Sequence, residues 1–384
     1  MRDRTIDALR AVAIVGVVLG HWLVSAVVVG DDGAWHGASP LTGRPTLAPA
    51  TWFLQTLALF FFAAGFASAR RHTTRSRSAN RWKPLIALAV VGVPAMGLLT
   101  LTGAPDSTRH VILSLVTHPM WFLLVYLALS ALAPLLRRVG LRGVPPLVAL
   151  IVLSDIWRHL APAGRLTVPA TLIGWSVPFL LGIVLADGRL PRRAGAVLLP
   201  GGLVTGTLLV TVAGYPPSAV GVPGDGWSNL APPSLFTLAL GAAQIGVFLL
   251  VRPHLGRWLE RPLIGAPVAA LNRHALTVFC WHQTALLLVT SAGAVAGTLP
   301  GLLDTPTGDW PLHRLLWIPV FAVALAVLCA AFPGSAVRRS SESIVVGQGD
   351  SAWGTGQSAS SARASSDSPS DGRSPCGAPG PASS

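Results

Sequence analysis

Apolar residues run unbroken over helix-length stretches along most of this chain, and polar residues gather in the segments between them. Stretches able to cross roughly 30 Å of hydrocarbon fall at about 6–29, 51–69, 84–103, 120–136, 144–160, 170–187, 194–213, 235–251, 270–295 and 314–332. The pattern predicts an all-α fold, a polytopic transmembrane helical bundle of about ten spans. The fifth stretch is the weakest, because Asp155, Arg158 and His159 crowd its end. Segments 30–50, 104–119, 214–234 and 296–313 are rich in Gly, Pro, Ser and Thr. They are long enough for a shallow lid but not for a domain.

Within this pattern the first stretch stands out. Three polar residues, Asp7, Arg10 and His21, interrupt it. At about 100° per residue, Arg10 and His21 lie on nearly one line, and Asp7 sits within roughly 60° of both. Along the axis Arg10 and His21 are about 16 Å apart. One stripe therefore carries an acid–base pair near the helix start and an imidazole well inside. Ionisable side chains at membrane depth are costly and mark function. Each also has an ordinary role available to it. A buried His can simply bond a neighbouring helix, and Arg10 can snorkel to the headgroups. Asp7, three residues before Arg10, orients the guanidinium. The stretch exceeds a signal-peptide core in length, so an uncleaved first span is expected.

Composition agrees. Of 384 residues, 52% are hydrophobic and 11% charged, and the mean hydropathy is +0.60, where soluble domains carry about 25% charge. The net charge of +13 is not a nucleic-acid footprint, since the arginines cluster between apolar runs and form no repeated basic face. With the N-terminus placed in the cytoplasm, only Arg44, Arg109, Arg158, Arg165 and Arg314 of the 28 basic residues fall outside. Positive residues mark the cytoplasmic side, so an even number of spans and two cytoplasmic termini are expected. Cys280, Cys329 and Cys376 form no motif, which leaves neither a disulfide framework nor a metal site. Residues 335–384 are dominated by Ser, Gly, Ala, Pro and Asp and read as a disordered cytoplasmic tail behind a membrane domain at 1–334. No Gly-rich phosphate loop, G-x-S-x-G or H-E-x-x-H occurs.

The sequence Asp7-Ala-Leu-Arg10 followed by His21 resembles the first span of the acyltransferase 3 family of multispanning membrane proteins. Later segments resemble it in order. Leu59-Phe60-Phe61-Phe62-Ala63-Ala64-Gly65-Phe66 is similar to the family's aromatic-rich FF-x-x-SGF segment, with Ala64 where Ser is usual. Trp121-Phe122-Leu123, Tyr126 and Pro134 resemble its W-F-L span, and Trp175 to Gly182 and Leu276 to His282 resemble later ones. The family's R-x-x-R pair after the second span has no clean counterpart, although Arg70, Arg71, Arg75, Arg77 and Arg81 fill that loop.

The resemblance implies transfer of an acyl group, usually acetyl, from acyl-CoA to a hydroxyl of a carbohydrate, lipid-linked or secreted acceptor, at the cell membrane and without a metal. His21 is then the catalytic base with Arg10 and Asp7 beside it. Arg70, Arg71, Arg77 and Arg81 are the candidates for coenzyme A, since guanidinium groups grip phosphates in pairs of hydrogen bonds. A hydroxyl is a poor nucleophile at neutral pH, and a positioned neutral imidazole can take its proton as it attacks the thioester. Nothing in the sequence marks the donor for the resulting oxyanion. Two other classes remain open at this point. A transporter would use the Asp7–Arg10–His21 stripe for proton relay or substrate binding, but no inverted repeat stands out. A membrane scaffold or sensor would leave the stripe an unexplained cost. His282, mid-span beside Trp281, reads as structural.

Overall fold

The computed structural model describes residues 3–70, 83–160 and 167–332. Arg71, Arg77, Arg81 and the tail at 335–384 lie outside the described residues.

The first helix, α1 (Arg4–Val24), opens on Asp3, whose carboxylate accepts from the Thr5 amide at 3.0 Å, the usual way to satisfy an exposed helix start. It ends earlier than the apolar stretch does. Ala26–Val29 (β1) pairs antiparallel with Trp35–Ala38 (β2). A run of β-branched valines favours the pleated state. The turn beyond it is set by Gly33 at φ 70° and by Asp32, which accepts from the Ala34 amide. This hairpin is the one departure from all-α structure in a named sheet among the described residues.

The second stretch is also not one helix. A 3₁₀ turn (Pro45–Ala50), which follows the single turn α2 (Pro40–Gly43), leads into α3 (Thr51–Leu54), and α4 (Leu57–Ala69) starts after a break at Gln55 and Thr56. Irregular backbone survives at membrane depth only where protein or a cavity surrounds it. Here Gln244, on α10 (Leu235–Trp258), donates to the carbonyls of Trp52 and Gln55 at 2.9 and 2.8 Å. Thr56 donates to Ala13 of α1 at 2.8 Å. Gly16 makes that approach possible, because a Cβ there would stand 2.4 Å from the Thr56 Oγ1. Gly20, one turn on, faces Leu54. Small residues at this spacing let membrane helices touch backbone to backbone.

The remaining helices are α5 (Lys83–Leu101), α6 (Asp106–Val139), α7 (Val144–Leu160), α8 (Thr167–Ala186), α9 (Ala194–Thr211), α11 (Pro262–Ala294) and α12 (Trp310–Ala331). Eight helical segments are long and apolar enough to cross a membrane. One of them, Asp106–Leu160, is α6 and α7 joined by a 3₁₀ turn, and a further apolar helix at Leu85–Leu101 is shorter. Ten apolar rods thus correspond to the ten stretches among the described residues. Segment 104–119 is not a lid, because α6 starts at Asp106 and Val111 packs with Val27 and Leu303.

The weak fifth stretch forms α7. Its charged end faces protein: Asp155 is buried and accepts from Tyr215 at 3.0 Å and from the Leu235 amide at the start of α10 at 2.7 Å. Arg158 donates to the carbonyls of Ser228 and Pro232 and lies over the Trp227 ring.

The aromatic run in α4 is core. Phe61 stacks on Trp175 of α8 with ring centres 4.9 Å apart, and Phe60, Phe122 and Phe279 close the cluster. Gly65 and Gly182 let α4 and α8 cross in contact. A Cβ on Gly65 would lie 1.9 Å from the Phe179 carbonyl oxygen, and one on Gly182 equally close to that of Phe62.

Arg314 of α12 donates to Trp22 and Ser25 at the end of α1. Arg252 is paired with Asp3 at the start of α1, and Arg137, Arg138 and Arg189 gather beside the end of α4 with Arg70, at one end of the bundle. His21 lies toward the other.

Candidate active site

His21 sits in the last turn of α1, half-buried, in the wall of a cavity of about 300 Å³. The break in the second span, α6, α11 and the 212–234 segment supply the other walls, through Gln55, Trp121, Gln283, Ser228 and Leu230. Among the described residues that line it, His21 is the one titratable side chain. The rest are apolar groups, hydroxyls and two carboxamides.

The ring is held on two sides. Gln283 of α11, 1% exposed, places its Nε2 at 3.1 Å from the His21 Nδ1. A carboxamide suits either tautomer. Its N–H donates to an Nδ1 lone pair, or, turned over, its oxygen accepts an Nδ1–H and leaves the lone pair on Nε2. The His282 ring packs against His21 with centroids 5.1 Å apart. His282 is buried and its Nδ1 donates to the Phe279 carbonyl at 2.7 Å. A residue read from sequence as structural is thus a direct neighbour of the candidate base. Gln283 went unmarked in the sequence. Its one signal was a His-Gln pair inside an apolar run.

The end of α1 that carries His21 is anchored from outside the site. Trp22 donates to the His282 carbonyl at 2.9 Å. Arg314, 0% exposed, donates to the carbonyls of Trp22, Ser25 and Gly301 at 2.7, 2.8 and 2.8 Å, and lies between the Trp310 and Phe321 rings. A cation at a helix C-terminus meets both the orphan carbonyls and the negative end of the dipole.

The roof is fixed in the same manner. Asn229 is fully buried, donates to Pro216 and Ser218, and accepts from Ser234. The Ala219 amide donates to Thr51, and Trp52 donates to Pro217. Burial and the Asp155 carboxylate together push the Tyr215 phenol above its ordinary range, which keeps it neutral as a donor to that carboxylate.

The other sequence-marked residues sit at the opposite end. Asp7 lines a second cavity, of about 640 Å³, with Arg4 and Glu260. It lies about 21 Å from His21 along α1, so the two do not share a cavity. Arg10 is half-buried, one turn from Asp7. Arg70 caps the end of α4 and lies over the Phe66 ring at 5.2 Å. Beside it a third cavity, of about 690 Å³, is lined by Ser68, Ser130, Arg137, Arg138 and Arg189. The stripe on α1 is real, but it connects two separate places rather than forming one cluster. No group of three or more metal-ligating side chains occurs among the described residues.

A family model described as an acyltransferase domain matches residues 3–336. The chain belongs to the acyltransferase 3 family. That match covers every helix above and both ends of the α1 stripe, and it makes the protein a multi-pass membrane acyltransferase. Neither the curated proteins nor the solved structures contain a match to the chain. Membership in the acyltransferase 3 family fixes the reaction class.

Proposed function

We propose that the protein is an O-acyltransferase that moves a short acyl group, acetyl first, from acyl-CoA to a hydroxyl of an uncharged carbohydrate-like acceptor, with His21 as general base. One observation carries this reading. Among the described residues, the imidazole, its Nδ1 engaged by a carboxamide, is the one titratable group in the wall of a cavity whose other described lining is hydroxyls, amides and apolar surface.

With the Gln283 oxygen turned toward Nδ1–H, Nε2 carries the lone pair and takes the proton from the attacking hydroxyl. The alkoxide adds to the thioester carbonyl, and the tetrahedral intermediate expels the thiolate, which recovers the proton from the imidazolium. A cavity of about 300 Å³ lies at the small end for ligand sites, which favours an acetyl group and a single sugar ring. Ser25, Thr51, Ser114 and Ser228 offer hydroxyl partners, and Trp121 offers an aromatic face. The absence of acid or base side chains other than His21 from the described lining favours an uncharged acceptor over an acidic one.

The donor enters at the arginine-rich end. Arg10, with Asp7 orienting it, and the loop holding Arg70, Arg71, Arg77 and Arg81 take the phosphates, while the cavity beside Arg137, Arg138 and Arg189 extends the basic surface. The pantetheine arm covers the roughly 16 Å rise between Arg10 and His21. The basic end faces the cytoplasm of the cell membrane, where acyl-CoA is made, and the His21 cavity faces the acceptor side.

The test is coenzyme A binding and acyl transfer on purified, folded variants. His21→Ala removes the base and not the anchor, so turnover falls by at least about 10²-fold while coenzyme A still binds. Arg10→Ala weakens coenzyme A binding, and Arg10→Lys restores part of it. Near-normal turnover in His21→Ala refutes the assignment.

A further inference from the structure

The geometry points to the Gln55 carboxamide as the donor that stabilises the oxyanion of the transfer reaction, at a break in the second span built to hold it. This inference rests on the acyl-transfer reading above.

Gln55 lies between α3 and α4, is 6% exposed, and lines the same cavity as His21. Its amide orientation is determined. The side-chain oxygen accepts from the Leu57 amide at 3.0 Å, so the NH₂ group is necessarily the other end. That nitrogen is buried and has no hydrogen-bond partner among the described residues. Buried donors are almost always paired, and an exception calls for a reason. The main chain around it is braced from three sides. Gln244 holds the Gln55 and Trp52 carbonyls, the Gln55 amide donates to Thr51 at 2.8 Å, and Thr56 is bonded to Ala13 of α1. Gly16 and Gly20 press α1 onto this break, one residue before His21. The first amides of α4 add the positive end of a helix dipole to the same wall.

These are the features of a preorganised anion donor. It is fixed in place, short of a partner, and set in a largely apolar wall where a hydrogen bond to developing charge is strengthened. In the reaction the acceptor oxygen forms a bond to the thioester carbon as its proton passes to His21, and the carbonyl π electrons move onto oxygen. The Gln55 N–H groups receive that oxygen. Collapse restores the carbonyl, breaks the C–S bond, and returns the proton to the departing thiolate, giving an ester and a thiol.

Gln55 also has a plain structural task, capping α4 through Leu57. Gln55→Glu separates the two. The carboxylate keeps an oxygen for the Leu57 amide and suits the helix start electrostatically, but it replaces the donor with an acceptor. The experiment measures thiol release from acetyl-CoA, with methyl α-D-glucopyranoside as acceptor, by the wild type, His21→Ala, Gln55→Glu and Gln55→Met in nanodiscs. Thermal unfolding is recorded for each. Gln55→Met lacks any charge and serves as the second folded variant.

The expected result is a loss of about 10²-fold in kcat for both Gln55 variants, with KM for acetyl-CoA within about threefold of wild type. Gln55→Glu keeps the wild-type unfolding temperature. A folded Gln55→Glu or Gln55→Met protein with kcat within about threefold of wild type overturns the inference, leaves Gln55 as a helix cap, and leaves the His21 reading intact. Thiol release by the wild type that is absent, or unchanged in His21→Ala, overturns both.

Discussion

The carboxamide of Gln283 meets the Nδ1 of His21 at 3.1 Å across the seam between α11 and α1. In the proposed mechanism the Gln283 oxygen accepts the Nδ1–H, which leaves the lone pair on Nε2. Gln283→Leu removes this contact without adding charge, and kcat falls on the order of 10²-fold with KM for acyl-CoA unchanged. Gln283→Glu still accepts an Nδ1–H and retains most of the rate. Equal losses in both variants, measured by steady-state transfer, assign Gln283 to helix packing instead.

Arg314 holds the end of α1 through the carbonyls of Trp22 and Ser25 and ties it to the carbonyl of Gly301. Arg314→Met leaves those carbonyls buried and unpaired and costs about 3 kcal/mol or more. A reduced yield of monodisperse protein and a lower unfolding temperature report that loss. Arg314→Lys recovers only part, because one ammonium cannot follow the guanidinium fork. A wild-type unfolding temperature in Arg314→Met contradicts this account.

Asp187, in the turn after α8, accepts from Arg137 at 2.7 Å and from Arg189 at 2.6 Å. Burial raises its pKa, but the two arginines outweigh burial and hold the carboxyl below its ordinary 3.8. A lowered folded-state pKa contributes stability that is complete above the unfolded value and vanishes as pH falls through the folded one. Asp3, bonded to Thr5 and Arg252 at 2.7 Å, acts in the same direction. The unfolding temperature in detergent is therefore level from about pH 7 to 5 and drops below about pH 4. Asp187→Asn is less stable at neutral pH and shows a smaller drop. An unchanged acid limb in that variant removes Asp187 from the account.

The start of α1 lies at the arginine-rich end of the bundle, and Gly43 lies toward the other, beyond β2, against Pro306 and Thr307. A reporter fused after Arg339 reads cytoplasmic, and one inserted near Gly43 reads external. The opposite assignment for both inverts the proposed orientation, and the same side for both refutes the count of crossings.

Much of this was written in the sequence. Ten apolar stretches correspond to ten helical rods, because hydrophobic length alone decides which segments can be buried in lipid as helices. The family was legible in the spacing from Asp7 through Arg10 to His21 and in the order of the later aromatic segments. The helical periodicity also fixed how far apart Arg10 and His21 stand on α1, since that distance depends only on local geometry.

What α1 faces depended on the rest of the chain. Gln283 and His282 are more than 260 residues from His21, and nothing local to either marks them as its neighbours. Gln55 is, in sequence, one polar residue near the start of an apolar run, with no motif around it. Its significance appears only where Gly16, Thr56 and Gln244 hold a break in the second span against α1. Likewise Asp155 and Arg158, which weakened the fifth stretch as a span, are satisfied by carbonyls, an amide and a phenol from residues 215 to 235. Backbone and side-chain polar groups inside a membrane protein must find partners, and which partners they find is decided by packing between distant segments, which one-dimensional pattern does not encode.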